Sequence, residues 1–363
     1  MHKVMTVESL EAIIGTAAQI VLMKETHTLD EGCRSVLANA PIAGLGFRDH
    51  EGFPRTTLVG GVPGFARVDS PTRLSFDLPD DHPGPAKRGG VSFVFLLPGI
   101  GETLRLNGSV AERSDTTVVV DLQGAYVHCA RCILRSRLWE DVGIDPAAPR
   151  VESPIRHNGL TPGRLADAAV AGFLASSHFA VVSSWDASGS GDTSPKGDPP
   201  GFMRILDSQT LAIPDRRGNK RADTLHNLLT CDQISLAALA AGRDELLHMR
   251  GTAYMTDDPA LLSTMAMREK PPHLALIVRV ERAEIMTNEA VGMSRMWDRS
   301  AHVDPTRADM NRVAVQHIAN NKAPGAKAAM ARTLSRGLAA SPPELGRRVI
   351  DLAYRKELKD EGY

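Results

Sequence analysis

From position 42 onward, short runs of apolar and β-branched residues alternate with Gly, Pro and Asp, at 42–47, 56–59, 74–76, 91–97, 103–106 and 117–122. Runs of this length, bounded by turn formers, predict antiparallel strands. Ahead of them, apolar positions at helical spacing predict helices over 7–24 and 29–39. The second helix has Asp30 and Glu31 in its first turn and Pro41 beyond its end, as helix termini prefer. The segment from His128 through Trp139 predicts a short helical exit from the strands. A further helix is expected over 259–268, inserted between strands, and three more over 309–321, 325–338 and 343–359.

The strand region is written twice. Pro63-Gly64-Phe65 returns 137 positions later as Pro200-Gly201-Phe202, and Arg67 and Leu74 return at the same offset as Arg204 and Leu211. Glu102 and Gly108 return as Glu245 and Gly251 at an offset of 143, and Ser136-Arg137-Leu138-Trp139 returns as Ser294-Arg295-Met296-Trp297 at 158. Such self-similarity predicts two copies of one unit. The expected organisation is a first copy with its N-terminal helices over 1–150, a second copy over 151–300 and a helical C-terminal appendage over 301–363. Six residues are gained in the second copy between Leu211 and Ile234, where Arg216, Arg217, Lys220 and Arg221 surround Gly218-Asn219.

That insertion is the strongest chemical signal in the chain. A strand ending at Pro214-Asp215 and giving way to a Gly-Asn turn and a helix leaves backbone N–H groups outward, and Arg and Lys beside them complement a phosphate. Upstream, Ser194-Pro195-Lys196-Gly197-Asp198-Pro199-Pro200-Gly201-Phe202 reads as a rigid, tightly turned loop that fixes Lys196 between a Pro and a Gly. The first copy carries Asp77, Asp80 and Asp81 in the matching region, and Val59 where the second has Lys196. Carboxylates repel a phosphate, so the anion site is expected in the second copy alone. Lys87 and Arg88 are the only cations late in that first-copy loop.

These two stretches, 193–202 and 211–221, resemble the flavin-mononucleotide (FMN) binding stretch of proteins related to pyridoxamine 5'-phosphate oxidase. The resemblance implies an α+β, mainly β fold: two tandem antiparallel split β-barrels paired as an intramolecular pseudo-dimer, with a helical C-terminal tail. It further implies a flavin between the barrels, its phosphate held by Asn219, Lys220 and Arg221 beside Pro214 and Asp215. Ser194 and Lys196 would lie nearer the ring or ribityl chain, with Thr103, Arg105 and Trp139 reaching across from the first copy. The activity implied is that of an FMN-dependent oxidoreductase acting on a small organic molecule, with NAD(P)H or oxygen as electron partner. The alternative is a non-catalytic flavin-binding or haem-binding split barrel, with His128, His226 and His248 as candidate haem ligands; a deazaflavin is a further candidate cofactor. The flavin ring itself supplies the electron-transfer chemistry, so no catalytic side chain is singled out. The Arg-x-His pattern expected near the end of authentic pyridoxamine phosphate oxidases is absent, since Arg299 and His302 are wrongly spaced, and B6 oxidation is not implied.

Composition narrows the classes. Lys and Arg total 42 against 43 Asp and Glu, and aromatics make up 4%, which points away from nucleic-acid binding. No run of eighteen apolar residues is present, so a cytoplasmic protein without a membrane anchor is expected; it would be a monomer with an internal pseudo-dimer, or a higher homo-oligomer. Four cysteines in 363 residues are too few for a disulfide scaffold. Cys129 and Cys132 form a C-x-x-C with no second pair at ligand spacing, so buried thiols and no metal are expected.

Overall fold

The computed structural model describes residues 2–78, 83–140 and 164–340, together with Leu352, Lys356 and Lys359. Asp80, Asp81, the expected copy boundary at 150 and the expected helix over 343–359, apart from those three positions, lie outside the described residues. The predicted helix over 7–24 is two pieces, α1 (Val7–Ile14) and α2 (Gln19–Leu22), because Gly15 takes φ 74 at the end of α1 and turns the chain. Next come β1 (Glu25–Thr26) and α3 (Glu31–Asn39), capped by the Asp30 side chain accepting from the Cys33 N–H.

The first sheet follows: β2 (Ile42–Arg48), β3 (Pro54–Gly60), β4 (Arg67–Ser70), β5 (Arg73–Asp77), β6 (Gly90–Leu96), β7 (Thr103–Arg113) and β8 (Thr117–His128), then α4 (Arg131–Ser136). The second unit runs α5 (Ala168–Ser176), β9 (Ser177–Trp185), β10 (Gly191–Gly197), β11 (Arg204–Ile205), β12 (Thr210–Asp215) and α6 (Asp223–Leu228). It continues through β13 (Gln233–Ala240), β14 (Glu245–Thr256), α7 (Pro259–Thr264), β15 (Leu274–Thr287) and α8 (Glu289–Ser294), and the described chain closes with α9 (Met310–Asn320) and α10 (Ala326–Ala339).

Both sheets are antiparallel and share one strand order. The first reads β3-β2-β6-β7-β8-β5-β4, with β1 added on β8, and the second reads β10-β9-β13-β14-β15-β12-β11. The repeat extends to single bonds. Ile42 stands opposite Gly60 and Leu96, and Phe179 stands opposite Gly197 and Leu239. α4 and α8 end on left-handed residues, Arg137 at φ 53 and Arg295 at φ 50. Beyond them the Trp139 indole donates to the Ile100 carbonyl at 2.7 Å and the Trp297 indole to the Arg243 carbonyl at 3.0 Å.

Each barrel has its own apolar core, and a third cluster joins them: Ile42, Leu58, Val94 and Leu96 pack with Phe179, Val181, Ala237 and Leu239. Beside it runs a buried hydroxyl chain, Thr56 to Ser183 at 2.9 Å, Ser183 to Thr193 at 2.9 Å and Thr193 to Ser92 at 2.6 Å. The backbones approach so closely that a Cβ on Gly44 would lie 2.6 Å from Val181 Cγ1. Satisfied hydroxyls in an apolar seam fix one pairing of the sheets.

The terminal helices trade places relative to the expected organisation. Leu10 and Ile14 of α1, with Val4, belong to the core of the second barrel, and Val4 bridges to Met255. Met310, Val313 and Ala314 of α9 belong to the core of the first. The apolar stripe of α1 is covered by the second copy and that of α9 by the first, so α9 is part of the first barrel's core. Among the described residues no helix is long and apolar enough to cross a membrane.

Candidate functional site

A cavity of about 430 Å³ opens between the barrels where the two halves differ most. The first barrel contributes Arg105 of β7, His128 at the end of β8, and Cys129, Arg131, Cys132 and Arg135 around α4. The second contributes Ser194, Lys196 and Asp198 from and after β10, Pro214 and Asp215 of β12, and the whole turn from Arg216 to Ala222. Eight Arg and Lys side chains line it against three Asp, an excess that suits an anionic occupant.

Backbone geometry explains the placement. The 191–197 segment, expected as a loop, is strand β10; it lies at the sheet edge, where Pro195 costs no ladder bond. Lys196 therefore projects from a strand, and its ammonium bonds the Asp215 carboxylate of β12. After β12 the turn takes left-handed φ values of 62 at Lys220 and 56 at Ala222 before α6 begins. Asn219 stabilises this turn by accepting the Arg221 N–H at 3.1 Å. Lys220 lies against the end of α1: a Cβ on Gly15 would stand 2.7 Å from its Nζ.

The cations are held by three ionic groups, two of them buried and the third partly so. Asp198, 2% exposed, accepts from Arg135 Nε at 2.9 Å and Arg216 Nε at 2.6 Å, joining the two barrels through one carboxylate. Arg105 pairs with Asp192, which also accepts from Thr224 at 2.9 Å. Burial pushes the Asp192 carboxyl up although Arg105 beside it pulls the other way. Arg221 bonds Asp223 at 2.7 Å and Glu25 at 3.0 Å. Its guanidinium lies 3.7 Å from the centre of the Tyr126 ring, with that of Arg105 at 5.1 Å. Tyr126 donates to Asp223 at 2.9 Å, and burial drives its phenol well above its ordinary range.

Some capacity is left over. Among the described residues, Arg216 and Arg221 each keep one buried guanidinium nitrogen without a partner, as does Arg105 at Nε. His128 keeps a buried, unpartnered Nδ1, and burial followed by the nearby Arg105, Lys24, Lys196 and Arg221 holds its ring well below the usual histidine range, hence neutral. Burial raises the Cys132 thiol to about 12. Buried donors without partners cost free energy.

Of the residues singled out from sequence, Ser194, Lys196, Pro214, Asp215, Asn219, Lys220, Arg221 and Arg105 line one cavity. Thr103 and Trp139 do not. Thr103 is the first residue of β7, buried at the end of the ladder opposite His128, its hydroxyl without a partner among the described residues. Trp139 closes the barrel end through its bond to Ile100 and packs beside His302. The other histidines named are elsewhere: His248 bonds the Thr56 carbonyl at 2.9 Å, and His226 Nδ1 lies 3.0 Å from the Ala222 carbonyl. Sequence reasoning missed Tyr126, Asp192, Asp198, Arg135 and Arg216 as ionic scaffolding. A signal was present for one of them, since Arg131 and Arg135 are spaced i, i+4 on the C-x-x-C helix.

Residues 166–287 match the family described as Pyridoxamine 5'-phosphate oxidase. With its antiparallel strand order, the second unit is a split barrel related to pyridoxamine 5'-phosphate oxidase, and the first repeats the same plan. Similar solved structures include a putative pyridoxamine 5'-phosphate oxidase from Lactobacillus delbrueckii, 17% identical over 37% of this chain and 98% of that one, with a TM-score of 0.26. HupZ of Group A Streptococcus is 23% identical over 30% and 86%, with a TM-score of 0.26. HutZ, the haem storage protein from Vibrio cholerae, is 11% identical over 33% and 93%, with a TM-score of 0.22. No curated protein matches the chain.

Proposed function

We propose that the cavity between the barrels binds FMN, one per chain, and that the protein is an FMN-dependent oxidoreductase of a small organic substrate. The observation that carries this reading is the convergence of eight cationic side chains on one cavity while Arg216 and Arg221 keep buried N–H groups unpartnered. The volume of about 430 Å³ falls within the range of cofactor pockets.

In this reading Arg216, Lys220 and the turn around Asn219 hold the phosphate, because they are the cations at the mouth of β12. Arg221 is chiefly a strut: Glu25, Asp223 and Tyr126 occupy most of it. Lys196 and Ser194 line the middle, and Arg105, His128 and Cys132 form the opposing wall from the first barrel. The bound flavin supplies hydride or electron transfer. The chain supplies orientation, a positive field and exclusion of water.

His128 supports a second reading. A neutral, buried imidazole with an open Nδ1 at the cavity wall suits a haem ligand. The visible spectrum of the protein as purified, with chromophore counted per chain, separates the two. Twin flavin bands, or saturable quenching of added FMN fluorescence at one equivalent, support the first. A Soret band that is lost in His128→Ala supports the second, and a colourless protein that leaves FMN fluorescence unchanged overturns the flavin assignment.

A further inference from the structure

The contact between the first barrel and the C-terminal helices carries chemistry the cavity does not use. Asp30, Cys33 and His317 bring an oxygen, a sulfur and a ring nitrogen within 4.8 Å of one another. Asp30 and Cys33 lie one turn apart at the start of α3, and His317 comes from α9, 284 residues beyond Cys33. His317 Nε2 stands 3.7 Å from Cys33 Sγ and 3.3 Å from Asp30 Oδ2. Its Nδ1 lies 2.8 Å from the Lys24 carbonyl. A carbonyl only accepts, so Nδ1 carries a proton, and Nε2 is the ring atom that faces Cys33 and Asp30.

The spacing suits a metal. With metal distances of about 2.3 Å to sulfur, about 2.05 Å to imidazole and about 2.1 Å to carboxylate, a tetrahedron has edges of about 3.6 Å from S to N and about 3.4 Å from N to O. The observed edges are 3.7 and 3.3 Å. The Lys24 carbonyl is the outer partner that orients a ligating histidine and fixes its tautomer. We propose that Asp30, Cys33 and His317 bind a divalent cation of borderline softness, zinc foremost, with solvent as the fourth ligand, and that this ion ties α9 to the first barrel.

The side chain of Asp30 is 30% exposed while that of His317 is fully covered, so solvent reaches the cluster from the carboxylate side. Binding forms a sulfur–metal bond and releases the Cys33 thiol proton to solvent. The metal displaces that proton, so affinity falls as pH falls.

The test is titration of the full-length, chelator-stripped protein with Co²⁺. The expected result is a thiolate-to-cobalt charge-transfer band at one equivalent per chain, displaced by Zn²⁺. The band is abolished in Cys33→Ser, reached only at tenfold or more higher Co²⁺ in His317→Gln, and kept in the Cys129→Ser/Cys132→Ser double variant. Since Cys33→Ser alters a core position, thermal unfolding of the unmutated chain gives an independent readout, with the midpoint raised by Zn²⁺ and lowered again by chelator. Absence of both the band and the thermal shift, or a band that survives Cys33→Ser, overturns the proposal.

Discussion

The cavity and its symmetry mate in the other half are built from equivalent positions and end in opposite states. On the open side Arg135 of α4 meets Asp198 after β10; at the equivalent positions Met293 of α8 meets Gly61, where a Cβ would lie only 2.9 Å from the methionine's own Cβ. Lys196 is matched by Val59, 4% exposed and in the first barrel's core. Cys132 is matched by Ala290 and Tyr126 by Glu284, which bonds Arg282. Arg105 is matched by His248, tied to the Thr56 carbonyl. Asn288 at the start of α8 donates to the Leu58 carbonyl at 3.0 Å. One side therefore spends its polar groups on each other and on the backbone, while the other keeps cations apart with shared carboxylates and leaves N–H groups over. Duplication freed one site to close and become interface, at no loss to the pairing of the sheets.

The sharpest break in this comparison is Asp198→Ala. It leaves Arg135 and Arg216 facing each other in a buried position, and removal of one partner from a buried ionic group costs about 3–5 kcal/mol. Urea unfolding at neutral pH measures it. Met293→Ala at the mate, where the side chain is 59% exposed, is expected to cost well under about 1 kcal/mol. Equal losses in the two variants would show that the carboxylate does not hold the open side.

Acid is the next probe, because the second copy buries a histidine where the first has Pro41. His178 is fully buried with both ring nitrogens unpartnered, and burial lowers its pKa to about 4. Between about pH 6.5 and 4 the unfolded chain takes up a proton that the folded chain refuses, so stability falls as pH falls through that window and is unaffected by this group above it. At pH 5 the loss is roughly 2 kcal/mol, and about 3 kcal/mol by pH 4. His178→Leu flattens the slope by that amount; an unchanged slope would assign the acid sensitivity to His128 and His248 instead, which burial also lowers.

How much of this was legible in the chain follows from what each signal depends on. The shared strand order was legible because the three offsets locate insertions between strands, and a strand's partners are set by order and loop length. The basic turn was legible because Gly218-Asn219 among four cations has few local explanations. The carboxylates were not. Asp192 lies just before the 193–202 stretch and Asp198 within it, but as carboxylates they acquire meaning only when β7 and α4 of the other barrel arrive beside them. Thr103 was misplaced because alternation sets a residue's face and not its depth along the strand. Trp139 carried a warning that its repeat supplied: Trp297 makes the same bond on the side without the cavity, so the pair serves the barrel ends. α3 belongs to the first copy as expected, while α1 was placed with the first copy and α9 with neither, because an apolar stripe specifies burial without naming its partner.

The flavin reading sharpens the comparison further. Arg216→Ala removes the cation with a spare buried N–H while Arg135 still satisfies Asp198, and loss of one charge-assisted bond of about 1.5–3 kcal/mol weakens FMN binding roughly 10- to 100-fold. Fluorescence titration reads this directly. Arg250→Ala, on β14 outside the cavity with its guanidinium 3.9 Å from the centre of the Phe53 ring, is expected to leave FMN affinity unchanged. Affinity losses of equal size in both would mean that the field of the whole molecule, and not this cavity, binds the flavin.

The smallest effect is the most exacting test of a closed mate. Lys87 and Arg88 are the cations of the first copy nearest in sequence to the place where the second gained its basic turn, and both are exposed. Arg88 even adopts φ 62, the same left-handed conformation as Lys220 in the open site. If backbone conformation and charge sufficed, this turn would be a second anion site. What the first copy lacks is the rest of the scaffold: the positions equivalent to Arg135 and Lys196 are Met293 and Val59. The Lys87→Ala/Arg88→Ala double variant is therefore expected to change FMN stoichiometry not at all, and stability by less than about 0.5 kcal/mol. A drop in bound flavin per chain would mean that both halves bind, and that the asymmetry drawn from Asp198 and Gly61 concerns how the barrels are joined and not where the ligand sits.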